Sequence, residues 1–135
     1  MNSILTEEIM PALEGAIPAI ISTASSNGIP NATYIWQVFY VDEKHVAVSR
    51  QYFNKTAHNL EENGLACILV TSPVTFFLYK LHVRFVESQF EGPVFDRISW
   101  QVDVVAGMLG TTETFNMISA DIFEIIDIEL IDLNS

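Results

Sequence analysis

The sequence predicts a mainly β chain, an antiparallel barrel or sheet decorated by about three helices. Runs rich in β-branched and aromatic residues are separated by turn signals, Asn27-Gly28 above all and then Asp42-Glu43-Lys44. Helical patterns interrupt these runs near Asn54 and after Gly92-Pro93. The resulting order, ββ(β)αβ(β)αβ, links strands by hairpins rather than regular βαβ crossovers, which argues against a doubly wound fold.

Taken in order, Thr6 is placed to cap a short helix ending at Gly15, with Glu7 and Glu8 near its positive end and Pro11 limiting its regularity. Residues 17–24 read as a buried strand, and Ser25-Ser26-Asn27-Gly28 as a tight turn. A second strand is expected from Pro30 through Tyr40, and a third over residues 45–49. Residues 54–63 form a polar helix anchored by Leu60 and stopped at Asn63-Gly64. A strand over 66–71 and a long one over 75–88 follow. Phe95, Ile98, Val102, Val105 and Leu109 repeat at helical spacing and should face the core. Residues 120–133 make the last strand, its Ile/Asp/Glu alternation clearest at 126–130.

Composition narrows the function. The chain has 135 residues, half of them hydrophobic, which suits one domain over residues 1–135 with a real core. Its formal net charge of -11 disfavours nucleic acid and anionic membrane surfaces, since both need cations to displace counterions. One cysteine, Cys67, allows no internal disulfide, and no zinc-ligand spacing is present. No secretory signal and no apolar run of about 20 residues is visible, so a cytoplasmic protein is expected.

The charges are unevenly placed. Residues 44–60 contain no acid but hold Lys44, Arg50 and Lys55 with His45 and His58. Residues 63–86 again lack acids, and Lys80, His82 and Arg84 stand two apart, on one face of a strand. Such groupings are commonly solvated faces; two together in an acidic chain suggest a local anion site, with the second as a further anion contact. Lys55 opens a helix, where the macrodipole disfavours a cation unless an anion is bound. Thr56 offers a hydroxyl beside it, and Asn59, one turn later, shares the face of Lys55. Both Lys55 and Thr56 are expected at a surface helix start.

The strand–Asn-Gly–strand pattern, then His-Val-Ala-Val-Ser-Arg at 45–50 and Phe-Asn-Lys-Thr-Ala-His-Asn-Leu-Glu-Glu-Asn at 53–63, resembles the FMN-binding split barrels of the pyridoxamine 5'-phosphate oxidase-like superfamily. The strand Ala66-Cys67-Ile68-Leu69-Val70 and the closing Ala120-Asp121-Ile122-Phe123-Glu124 fit the same pattern, so the likeness runs from Ile17 to Asp127. It implies a split β-barrel forming a homodimer, with one FMN per subunit at the interface. Ser49, Arg50, Asn54, Lys55 and Thr56 would then surround the phosphate, with Asn59 supporting them. Tyr34, Trp36 and Gln37 would lie against the isoalloxazine ring. The function implied is that of a flavoprotein oxidoreductase, with the flavin passing hydride or electrons to or from a small molecule. The alternative is a non-catalytic FMN or haem binding or sensor module; a third reading is an interaction domain that has lost its ligand. No catalytic acid or base is named, and no metal is expected.

Two features depart from the pattern. Oxidases acting on pyridoxamine phosphate carry an Arg- and aromatic-bearing C-terminal stretch, whereas this chain ends in Glu-Leu-Ile-Asp-Leu-Asn-Ser. They also place Ser-Arg-Lys where Asn54-Lys55-Thr56 stands, so one cation is missing unless Arg50 supplies it. A hydrolase finds no nucleophile elbow. Trp36 and Trp100 suit core or interface positions, and Cys67 a buried one.

Overall fold

The computed structural model describes residues 3–15, 17–50, 54–108 and 117–131, with the backbone alone at Asn54, Val105 and Ala106. It holds strands β1 (Ala19–Ala24), β2 (Pro30–Ile35), β3 (Phe39–Asp42) and β4 (His45–Arg50), then helix α1 (Asn54–Glu62). Strands β5 (Leu65–Thr71) and β6 (Leu78–Gln89), helix α2 (Pro93–Met108) and strand β7 (Ser119–Ile131) complete it. The strands form one seven-stranded antiparallel sheet in the order β2-β1-β5-β6-β7-β4-β3.

Strand order and chain length together close the barrel. β2 and β3 occupy opposite edges of the sheet yet are joined only through residues 36–38. A flat sheet of this width would separate its edges by roughly 29 Å at the usual strand spacing. The chain from Ile35 to Phe39 reaches no more than about 15 Å. The sheet therefore curls until its edges approach, leaving a split between β2 and β3.

The barrel interior is filled by Ile21, Ile35, Val46, Val48, Ile68, Val70, Leu81, Val83, Phe123 and Ile125. Leu5, Ile9 and Leu13 from the N-terminal segment join this core, as does Leu60 of α1. A second cluster of Phe39, Ala47, Ile98, Ala120 and Ile122 lies where α2 meets the sheet. The first half of β7 is thus buried on both faces, and alternation appears only beyond Phe123. Of the expected helix face, Ile98 is fully buried, and Phe95 and Val102 pack against this cluster. The Val105 side chain and Leu109 lie outside the described residues, and Trp100 is exposed.

Three expectations are corrected. The segment at 6–15 forms only a 3-10 helix, Met10–Ala12, with no side-chain cap. Pro11 lacks the N–H that a longer helix would use, and Glu14 turns to a left-handed φ of 58°. The single strand from Pro30 through Tyr40 is two, because residues 36–38 carry the chain across the split. The strand expected from Thr75 begins at Leu78, since residues 72–77 fold into a turn held by Ser72. The Ser72 Oγ accepts Val74 N–H at 3.2 Å, and the Ser72 carbonyl accepts Phe76 N–H at 2.9 Å.

Candidate functional site

Helix α1 packs on β1 and β2, through Leu60 in the core and two polar contacts. Asn59 Nδ2 donates to Thr23 Oγ1 at 3.1 Å, and Asn31 Nδ2 donates to Thr56 Oγ1 at 3.2 Å. Thr56 is 1% exposed, so the expectation of a surface threonine is corrected: its hydroxyl seats the helix on β2. At the other end of the helix, Ser26 N–H donates to Glu62 Oε2 at 2.8 Å, clamping the β1–β2 turn. That turn is the one expected from Asn27-Gly28, with Gly28 at φ 85° and its N–H bonded to the Ser25 carbonyl at 2.9 Å.

Turn, helix and β2 border an open cleft of about 450 Å³ in which polar residue types predominate, Ser25, Asn27, Asn31, Lys55, His58 and Asn59 beside Ile29 and Pro30. No acid lines it. Among the described residues Lys55 has no carboxylate within ion-pair distance, so its charge is directed at solvent or ligand. Asn54 opens the helix, and its side chain lies outside the described atoms.

A second cleft, about 650 Å³, opens where β2 meets the split, and it is apolar: Ile17, Pro18, Ile20, Tyr34, Trp36, Leu69, Thr71 and Leu78 line it. Cross-strand register explains the grouping, since Tyr34, Ile20 and Leu69 stand opposite one another on β2, β1 and β5. Tyr34 and Trp36 remain 74% and 59% exposed. Gln37 lies apart from this lining, its Nε2 donating to the carbonyls of Glu14 and Gly15 at 3.2 and 3.4 Å.

Ser49 and Arg50 end β4 and line neither cleft. Arg50 Nε donates to Asp121 Oδ2 at 2.9 Å, and its Nη2 donates to Ser88 Oγ at 3.2 Å. Ser88 and Ser119 both donate to Asp121 Oδ1 at 2.8 Å. This fully buried carboxylate and its three donors lock β4, β6 and β7 together.

The Lys80, His82 and Arg84 row does share one face, but β7 answers it with acids. His82 Nε2 lies 3.3 Å from Glu129, and Arg84 Nη2 donates to Glu124 at 2.7 Å. That donation holds the Glu124 carboxyl below its ordinary value. Burial raises the Cys67 thiol on the same face, which weighs against thiolate chemistry.

Lys55 with Asn59, and Tyr34 with Trp36, are therefore the pairs from the sequence reading that the fold brings together. Ser25, Asn27, Asn31 and His58 were missed as lining residues: the Asn-Gly pair signals a turn, and nothing local shows that the turn meets α1.

An antiparallel split barrel with a polar and an apolar cleft along one edge strand defines a class of small-ligand-binding proteins. The model of the pyridoxamine 5'-phosphate oxidase family matches residues 5–103, well over half the chain. The chain belongs to that family. It is similar to an FMN-binding protein from Syntrophomonas wolfei subsp. wolfei, with 25% identity, 93% of this chain and 91% of the other covered, and a TM-score of 0.72. HupZ of Group A Streptococcus is 18% identical over 96% of both chains, with a TM-score of 0.72. An F420 reductase is 12% identical over 93% of this chain and 98% of its own, with a TM-score of 0.69. At those lower identities the likeness is one of fold. None of the curated proteins matches this chain.

Proposed function

We propose that residues 1–135 form a single FMN-binding split-barrel domain acting as a flavoprotein oxidoreductase on a small-molecule electron donor or acceptor. One observation carries this reading: the edge strand β2 borders both an acid-free polar cleft containing Lys55 and an apolar cleft containing Tyr34 and Trp36. Asn31 of β2 faces α1, bonded to Thr56, and Tyr34 stands on the opposite face, so this edge strand offers donors on one side and ring surface on the other. Lys55 and the amides of Asn27 and Asn31 would supply donors for a phosphate, with Asn59, buried against Thr23, supporting them. Thr56 holds the helix that presents them. Ser49, Arg50 and Asn54 flank the connection leading into α1, where the family pattern puts the rest of the phosphate shell. Tyr34 and Trp36 supply ring surface, and Gln37 anchors the strand end that carries them. Bound flavin would supply the hydride or electron chemistry.

The reading includes a cytoplasmic homodimer with FMN between subunits. Support for the dimer is the outer face of β2, β1 and β5, which carries exposed Tyr34, Trp36 and Leu65 and half-buried Ile20, Cys67 and Leu69. The test is an absorption spectrum after adding FMN and removing the excess. Retained bands near ~375 and ~450 nm are expected of a bound oxidised flavin. A spectrum of protein alone would overturn the reading. Oxidation of NAD(P)H by the loaded protein separates an oxidoreductase from a non-catalytic flavin holder.

A further inference from the structure

The polar cleft holds a second group able to carry positive charge. His58 lies one helical turn from Lys55, lines the same cleft and is largely exposed. Its Nε2 sits 2.9 Å from Glu62 Oε1, while Glu62 Oε2 accepts Ser26 N–H at 2.8 Å. Glu62 is therefore anchored at both oxygens, and the Ser26 N–H first, with His58 after it, holds its carboxyl below the ordinary value. An anchored carboxylate fixes one side of the imidazole and leaves Nδ1 as the other polar atom, a donor once the ring is charged.

The charges around His58 are few. On its own helix they are Lys55, Glu61 and Glu62; β1, β2 and the turn between them contain no acid or base, Tyr34 being their one titratable side chain. With His58 neutral, Lys55, Glu61 and Glu62 leave the helix one charge negative; charging His58 brings it to neutral, with Lys55 and His58 as the charged side chains of it that line the cleft.

We infer that protonated His58, braced by Glu62, is a second contact for the phosphomonoester end of the ligand, so that the cleft binds it more tightly as the imidazole charges. This rests on the flavin reading above. Imidazoles charge between about pH 5 and 8. A phosphomonoester also gains a proton near pH 6, so the comparison is between proteins at each pH, not between pH values.

The experiment is titration of wild type and His58→Gln with FMN and with riboflavin, which keeps the ring and lacks the phosphate, at pH 5.5 and 8.5. For FMN, the variant should bind about five- to tenfold more weakly at pH 5.5, as expected for losing a charge-assisted hydrogen bond near the surface. At pH 8.5 the two proteins should bind FMN alike, and riboflavin should not distinguish them at either pH. A ratio independent of pH, or the same ratio with riboflavin, overturns the assignment. Wild type that binds no FMN at either pH overturns the flavin reading itself and this inference with it.

Discussion

Residues 44–60 and residues 63–86 carry the same signal in the sequence, cations without acids, and the fold treats them differently. β7, the acidic strand, lies between β6 and β4. It reaches His82 and Arg84 on one side and Arg50 on the other. Helix α1 packs on β1 and β2, neither of which contains an acid. So Arg50 is neutralised by a buried carboxylate and His82 and Arg84 by surface ones, while Lys55 and Lys80 have none at ion-pair distance among the described residues. Cation clustering along a chain becomes positive potential only where strand order keeps the acids away.

The largest effect expected from this contrast is at Asp121. Replacing it by Ala leaves Arg50, Ser88 and Ser119 without their shared acceptor. Because Arg50 is not wholly buried, the cost should fall at the low end of buried-pair losses, about 3 kcal/mol. Urea unfolding measures it, and a loss below about 1 kcal/mol would place this pair with the surface ones.

Lys55→Ala should leave the fold intact and weaken FMN binding roughly ten- to a hundredfold, the contribution of one charge-assisted hydrogen bond. Equal affinity in a fluorescence titration would remove Lys55 from the phosphate site. Thr56→Ala acts differently, because its hydroxyl is buried against Asn31. It should cost about 1 kcal/mol of stability, with weaker FMN binding following from a less firmly seated helix. A melting curve unchanged by this substitution would refute the structural role of the hydroxyl.

The smallest effect belongs to the β6–β7 face. Arg84→Ala should leave FMN affinity unchanged and lower the melting temperature at neutral pH only slightly, by the small amount a surface pair contributes. Its signature lies in acid. Glu124 is held low by Arg84, and Glu62 by Ser26 N–H and then His58. Asp42 is pushed up by burial but lowered further by its hydrogen bonds to His45 and the Lys44 N–H. A carboxyl depressed in the folded state stabilises the fold above its unfolded value, and that contribution is lost as pH falls through the folded one. Melting temperature should therefore drop as pH goes below about 4.5, the ordinary glutamate value. Arg84→Ala should make that drop shallower. An identical slope in wild type and variant would show that the pair does not couple to folding.

Local patterns in the sequence determined most of the elements. Asn27-Gly28 marked the first hairpin, since only a residue tolerant of positive φ completes that turn; Asn63-Gly64 marked the end of α1, with Gly64 at φ 78°. Lys55, singled out at a helix start, lines the polar cleft, whereas Thr56 beside it is buried. Tertiary structure alone decided the rest. The break at Trp36-Gln37-Val38 is invisible locally because β-forming residues run through it, and only barrel closure requires the chain to leave one edge and start the other. The same holds for the partners of Arg50 and Arg84. Side-chain type and spacing fix which face a residue occupies, but an ion pair depends on which strand lies alongside, and strand order is set by burial of the whole barrel.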